Sequence, residues 1–324
     1  MTVPIINPKN HSQLSFVDGK LIDSEGNAFP FLKGVARIAY LDNYTENFGV
    51  QWNRFNKTQL DQKNDGLSLS RNRFFAESGW NSDDLSDKDI LEVGSGAGRF
   101  SEVVLKHTSA NLYSLDYSDA VSANFENNSQ IAPDRFHLFQ ASIYEMPFPD
   151  DSFDKVFCFG VLQHTPDFQS SVKALISKTK PGGEVVVDFY PIKGWWTKVH
   201  AKYIFRPWTK RMSYKKLFKL IEGNVDWLIS LSKLLNKVGL GLLTRFIPIV
   251  DLCTIPTMGL DKSQFREWVV LDTFDMFSPE HDHPQKIKDV AYMFSNYGVD
   301  VTFSGFVGYG DGFEAAVVRG IKKS

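Results

Sequence analysis

The sequence predicts an α/β fold on a mostly parallel sheet, and three observations carry that expectation. Strand-like apolar runs alternate with helix-like periodicity between residues 88 and 191, the pattern of strands joined by helical crossovers. One run, Asp89-Ile90-Leu91-Glu92-Val93, leads into a glycine-rich turn, Gly94-Ser95-Gly96-Ala97-Gly98, and then into Arg99-Phe100, the start of a helix. A second strand-like run, Asn111-Leu112-Tyr113-Ser114-Leu115-Asp116, ends in an acid.

Residues 1–40 precede this pattern and read as short strands. Leu14-Ser15-Phe16 and Lys20-Leu21-Ile22 flank Asp18-Gly19, a hairpin turn signal. A second turn at Glu25-Gly26-Asn27 precedes Ala28-Phe29-Pro30-Phe31-Leu32. Residues 41–80 read as helical. Tyr44, Phe48, Trp52 and Phe55 recur at three- and four-residue spacing, one apolar helix face. Such a face packs a core or closes over a ligand.

The glycine turn brings backbone close to a bound molecule, because residues without a Cβ permit both the unusual dihedrals and the close approach. A dinucleotide fingerprint would place a third small residue where this chain has Arg99, too bulky for helix-on-strand packing. Glu92 beside the turn would repel a pyrophosphate and suits an ammonium group. Asp116 follows Gly98 by 18 residues, close to the offset of about 20 expected for a ribose-binding acid. Its two oxygens can accept from both ribose hydroxyls. The plain alternative is a helix N-cap at Ser118 or Asp119, before Ala120-Val121.

Three blocks together resemble the class I S-adenosylmethionine-dependent methyltransferases, especially the small-molecule enzymes that methylate quinones and sugars. They are Glu92-Val93-Gly94-Ser95-Gly96-Ala97-Gly98, then Leu115-Asp116-Tyr117-Ser118, then residues 140–154 followed by Val161-Leu162-Gln163-His164-Thr165-Pro166-Asp167. They cover residues 89–167. The resemblance implies a Rossmann-like, seven-stranded, mostly parallel sheet and S-adenosylmethionine as cofactor. It maps cofactor contacts onto Glu92, Gly94, Ser95, Gly96, Gly98, Asp116, Tyr117, Ser142, Ile143, Phe159, Gly160 and Val161. It also implies that Tyr44, Gln51 and Trp52 close over the cofactor. One position departs from the family. An acid usually precedes the residue at Ile143, and this chain has Ser142, so backbone at 142 and 143 would meet the adenine edge. Residues 1–40 resemble the zinc-ribbon-like segment before some methyltransferase domains, without the ribbon cysteines, so no metal is implied.

The remaining elements complete the sheet. Residues 155–159 read as the fourth strand and residues 171–176 as a helix. Lys180-Pro181-Gly182-Gly183 turns into a fifth strand at 184–189. Pro284 opens a helix bearing Ile287, Val290, Ala291 and Phe294, stopped by Gly298. Strands follow at 299–303 and 314–321. The expected core is therefore 41–191 plus 284–324.

The stretch 192–283 is too long for a simple connection, since loops beyond about 12–15 residues are uncommon without a functional reason. It reads as a helical insertion, a lid that selects substrate. Between 193 and 219 it has no Asp or Glu. There Lys193, Lys198, Lys202, Arg206, Lys210, Arg211, Lys215, Lys216 and Lys219 interleave with Trp195, Trp196, Tyr203, Phe205, Trp208, Tyr214 and Phe218. The plain alternative is a solvated helix face. The sharper one is an anionic partner: a phosphorylated or lipid-linked sugar, or an acidic membrane surface.

Composition narrows the classes. The chain has 324 residues, 43% hydrophobic, with a net charge of −2, which gives no global case for nucleic acid. Cys158 and Cys253 make neither a disulfide framework nor a zinc cluster. No stretch resembles a signal peptide and no run of 18 apolar residues occurs, so the expectation is a cytoplasmic protein. Oligomeric state stays open.

Methyl transfer from a sulfonium is an in-line displacement, and a hydroxyl acceptor needs a base. Residues 271–285 hold Asp272, Asp275, Glu280, His281, Asp282 and His283. His281 or His283 is the expected base, oriented by Asp272 or Asp275, and His164 is an independent candidate. Metal binding and helix capping are the competing readings of the same cluster. The expected function is O-methylation of a sugar-like or other small polar acceptor. The alternatives are C-methylation of a quinone-like lipid precursor and a non-catalytic cofactor-binding subunit.

Overall fold

The computed structural model describes residues 2–39, 44–63, 68–256, 259–310 and 312–324. The boundary expected at 40–41 lies outside the described residues. In chain order the strands are β1 Ser15–Val17, β2 Lys20–Ile22, β3 Ala28–Leu32, β4 Val35–Arg37, β5 Asp89–Val93, β6 Asn111–Asp116, β7 Phe136–Gln140, β8 Phe153–Cys158, β9 Thr179–Phe189, β10 Val299–Gly308 and β11 Glu314–Lys322. The helices are α1 Glu46–Arg54, α2 Leu69–Ser78, α3 Arg99–His107, α4 Val121–Asn128, α5 Phe168–Lys178, α6 Ala201–Thr209, α7 Tyr214–Lys237, α8 Lys262–Phe277 and α9 Ile287–Asn296.

The strands form one sheet in the order β1-β2-β3-β4-β7-β6-β5-β8-β9-β11-β10. Strands β4, β7, β6, β5, β8 and β9 are mutually parallel; at the far side β11 runs antiparallel to β9, and β10 antiparallel to β11. The seven expected strands, β5 to β11, are present. The sheet nevertheless has eleven among the described residues, because β4 pairs with β7 at Val35–Leu138, Ala36–Phe139 and Arg37–Gln140 and carries the N-terminal hairpins with it. Asp18 and Gly19 both take positive φ, 48° and 75°, the geometry of a two-residue hairpin turn. The next turn is held by the Asp23 carboxylate, which accepts from the side-chain amides of Asn7, Asn10 and Asn27 at 2.6–3.0 Å.

Side chains alternate between two apolar layers. Leu91, Val93, Val156, Cys158, Val185 and Val187 face α5 and α9, while Ile90, Phe157 and Val186 face α2, α3 and α4. Apolar residues on both sides of a strand are what a sheet covered on both faces requires. Lys180-Pro181-Gly182-Gly183 bulges at the start of β9. Pairing with β8 jumps from Phe153–Thr179 to Lys155–Glu184, and Gly182 takes φ 76°.

The insertion packs α7 and α8 around a third apolar cluster, to which Phe55, just past α1, and Leu69 of α2 contribute, while α6 lies against α8. Phe218 of α7 and Phe274 of α8 stack at 3.8 Å. Asp261 and Gln264 cap α8 reciprocally, each side chain taking the other's backbone N–H at 2.8 Å. Helix α9 opens at Ile287, three residues beyond the expected Pro284. The reason is that Gln285 is extended: its N–H donates to Tyr190 O at 3.0 Å and its carbonyl accepts from Ile192 N at 2.8 Å. Residues 278–286 thus form a strap across the end of β9.

Candidate functional site

A cavity of about 640 Å³ opens at the C-terminal ends of β5, β6, β8 and β9. The strand order reverses between β5 and β8, the crevice where open α/β sheets bind ligands. One side is the glycine turn. Gly94 takes φ 82°, and a Cβ there would lie 2.2 Å from Val161 Cγ2. Gly94 N and Ser95 N donate to Leu115 O at 2.7 and 3.1 Å, tying the turn to β6. Gly96 N donates to Asp116 Oδ2 at 2.8 Å, while Asp116 Oδ1 accepts from Ser118 N at 2.8 Å and Ser118 Oγ at 2.7 Å. Enclosure pushes the Asp116 carboxyl up, and these three hydrogen bonds pull it back down.

Helix α1 forms the adjoining wall. Tyr44, Thr45, Phe48, Gln51, Trp52 and Phe55 all line the cavity. Gln51 is buried, and its Oε1 has no partner among the described residues. Phe159, Gly160 and Val161 line the cavity after β8, and the Gly160 N–H donates to the Asp188 carboxylate.

The far wall comes from β9, the insertion and His164. Tyr190 OH donates to Asp275 Oδ2 at 3.1 Å, and Gln51 Nε2 lies 3.4 Å from Asp275 Oδ1. His164 is buried, with Nδ1 3.2 Å from His281 O and Nε2 3.8 Å from Asp275 Oδ2. A carbonyl only accepts, so Nδ1 carries the proton and Nε2 presents its lone pair. Burial lowers the His164 pKa, against the opposing pull of Asp275. Asp272, one helical turn from Asp275, is pushed up to about 7 by its enclosure and by the Asp275 charge. Lys202 Nζ, also at the cavity, is 2.7 Å from Asp282 Oδ1.

Residues 91–187 match the protein family described as a methyltransferase domain. The chain carries a class I S-adenosylmethionine-dependent methyltransferase domain. Two relatives are named tRNA U34 carboxymethyltransferase. That of Nautilia profundicola is 32% identical over 110 residues, 34% of this chain and 37% of the relative. That of Idiomarina loihiensis is 32% identical over 210 residues, 64% of this chain and 59% of the relative. The matched stretch therefore spans less than two thirds of either relative. Among solved structures, magnesium protoporphyrin IX methyltransferase from Synechocystis PCC 6803 with bound SAH aligns with a TM-score of 0.46 at 14% identity, over 86% of this chain and 97% of that one.

The methyltransferase cavity collects many of the residues singled out from sequence, but not all. Gly94, Ser95, Gly96, Asp116, Tyr117, Ile143, Phe159, Gly160, Val161, Gln51, His164 and Asp272 line it. Four others do not. Glu92 lies behind the turn, accepting from Ser101 Oγ and, at 2.8 Å, Ser114 Oγ, and its burial pushes it up to about 7. Gly98 caps α3 against Asn124 and Asn128, where a Cβ would come within 2.1 Å of Asn124 Oδ1. Ser142 Oγ is turned to Tyr144 N at 3.2 Å.

The expected bases His281 and His283 are also outside the cavity. They stack on each other at 5.8 Å on the strap, whose backbone does the work: His281 O holds His164, and His283 N donates to Gln163 O at 2.8 Å. Nor do His281, His283, Asp272 and Asp275 converge on one point. Among the described residues no three metal-ligating side chains do. Sequence reasoning missed Tyr190, whose position immediately after β9 is the available signal, since ligands gather beyond parallel strand ends. It also missed Arg73, which lines the cavity from α2 while paired with Glu77 and Asp188.

Proposed function

We propose that this chain methylates a hydroxyl of a small polar acceptor, with His164 as the base. The observation that carries the reading is continuity: the Gly94–Gly96–Asp116 cradle and the His164–Asp275–Tyr190 wall face one cavity. The residues fit the cofactor. Asp116 offers a carboxylate to ribose hydroxyls, the glycine turn admits close approach, and the orphaned Gln51 Oε1 offers an acceptor to an ammonium.

When bound, S-adenosylmethionine supplies a methyl carbon on a sulfonium leaving group. The glycine turn, Asp116 and Gln51 would hold the group with that methyl open to the acceptor oxygen, and the neutral thioether would be the leaving group. The acceptor proton passes to His164 Nε2. The resulting imidazolium faces Asp275, which stabilises it, and the His281 carbonyl keeps the ring in the productive tautomer. Tyr190 and Gln51 hold Asp275 in place. Calorimetry with S-adenosylmethionine, followed by a metabolite screen for S-adenosylhomocysteine formation, tests the reading. No cofactor binding by wild type, or turnover only with acceptors lacking a hydroxyl, overturns it.

A second reading follows from the relatives' printed name: transfer of a carboxymethyl group to tRNA. It is favoured by Arg99, which lines the cavity, hydrogen-bonds only the neutral Ser70 and Gln59 at 2.8 and 3.3 Å, and forms no ion pair among the described residues. A guanidinium so placed suits a transferred group that carries its own carboxylate. The net charge of −2 does not exclude tRNA, because the basic segment is local. Adding tRNA to the acceptor screen separates the two.

A further inference from the structure

We propose that the outer face of the insertion docks onto an anionic membrane surface. Among the described residues, fifteen of the twenty-three exposed large apolar side chains fall between 195 and 246, about a sixth of the chain. Trp195 is 83% exposed, Trp208 62% and Leu242 84%. Scattered exposed apolar residues are ordinary, whereas a concentration of this kind marks an interaction surface.

Two apolar tips are joined in space. Arg245 donates to Trp196 O at 2.8 Å and to Val199 O at 3.2 Å, so the turn bearing Leu242, Leu243 and Phe246 sits beside the turn bearing Trp195 and Trp196. On α6, Ile204, Phe205 and Trp208 point outward while Ala201, Lys202, Arg206 and Thr209 are buried. On α7, Leu220, Trp227 and Leu234 are spaced by seven residues and form an exposed stripe apart from the buried Leu217, Ile221, Val225 and Leu228.

The charges decide the occupant. Of the nine cations between 193 and 219, Lys193 pairs with Glu314, Lys202 pairs with Asp282, and Arg206 is buried. The other six, Lys198, Lys210, Arg211, Lys215, Lys216 and Lys219, are exposed and make no ion pair among the described residues. Exposed cations interleaved along one segment with exposed tryptophan and aliphatic side chains match the phosphate and acyl layers of an anionic bilayer. RNA gains little from exposed Leu and Val, which can neither stack well nor hydrogen-bond. Two copies meeting through this face would oppose like charges. No helix among the described residues is long and apolar enough to cross a membrane, so contact is interfacial. Lys193, His200 and Asp251 line the cavity close in sequence to the two tips, so the cavity opens beside the docking face. An amphiphilic acceptor reaching it from the lipid rests on the methyl-transfer reading; the docking does not.

Co-sedimentation tests this with vesicles of equimolar phosphatidylglycerol and phosphatidylcholine, and with phosphatidylcholine alone. The wild type should sediment with the anionic vesicles and dissociate as salt rises. Trp208→Ser combined with Leu242→Ser should weaken binding at least tenfold. Lys216→Glu and Lys219→Glu should each weaken it roughly fivefold. Thermal melts of all variants should be unchanged, because these side chains are exposed. Absence of binding to anionic vesicles overturns the proposal, as does full binding by the double variant. So does sedimentation velocity showing a dimer that the double variant loses, or salt-sensitive binding to tRNA without binding to vesicles. Vesicle binding by a chain that fails to bind S-adenosylmethionine leaves docking intact and removes only the acceptor's origin.

Discussion

His164 Nδ1 lies 3.2 Å from the carbonyl oxygen of His281, a residue 117 positions later in the chain. That contact sets the tautomer of a buried imidazole and turns the other nitrogen toward Asp275. The strap therefore reaches His164 through its backbone.

Replacing His164 with Gln should lower kcat by about 10²–10⁴-fold, the usual worth of a positioned base, with S-adenosylmethionine affinity changed little. Burial depresses the His164 pKa, so the neutral base persists below the ordinary histidine range and the acid limb of the rate profile should lie below about pH 6.5. Asp275 raises that pKa, so Asp275→Asn should move the limb to still lower pH. Single-turnover rates across pH check both.

Asp116→Ala removes the acceptor for Gly96 N and Ser118 N along with the expected ribose contact. Losing the hydrogen bonds that the carboxylate would accept from ribose hydroxyls costs about 1–3 kcal/mol, so calorimetry should show S-adenosylmethionine binding weakened by roughly 5- to 150-fold. Unchanged affinity would remove Asp116 from the site.

Glu92 is pushed up to about 7 by burial, well above its unfolded value near 4.3. Its folded form holds the proton more tightly, so its contribution is full at low pH and is lost as pH rises toward 7. Glu92→Gln removes that loss. Relative to wild type, this variant should gain stability from pH 5 to pH 7.5, by about 1–3 kcal/mol in urea melts. A difference that stays flat with pH would contradict the assignment.

Phe274 stacks on Phe218 and is fully buried where α7 and α8 meet. Phe274→Ala should cost about 3–5 kcal/mol of stability. Hydrogen exchange should locate the loosening in α7 and α8 rather than in the sheet.

The glycine-turn wall of the cavity was legible because its residues are contiguous. A strand, a glycine turn and an acid ending the next strand fix their own relative positions once the strands pair in parallel, as Glu92 with Ser114 and Val93 with Leu115 show. Gly98 and Glu92 were legible as members of the block but not as the inward-packing residues they are. That distinction depends on Asn124 of α4, Ser101 of α3 and Ser114 of β6 packing against them. The far wall was hardest to read. His281 and His283 have the right chemistry on the wrong side of the strap, and nothing local in the sequence reports which way an extended segment faces. Lys202 and Arg206 read as part of one basic face, yet helical phase turns both inward toward Asp282 while Lys210 and Arg211 stay outside.

The hydrogen bond from Gly96 N to Asp116 bears on how quickly a ligand is captured. The cradle is already closed on its own anchor, so little of the chain has to be ordered on encounter and association requires no slow rearrangement of the turn. Any slower step of capture then falls to the other walls of the cavity, α1 and the residues of the insertion that line it. Release should be governed there as well, so that residence time is a property of those walls and affinity for the nucleoside a property of the sheet.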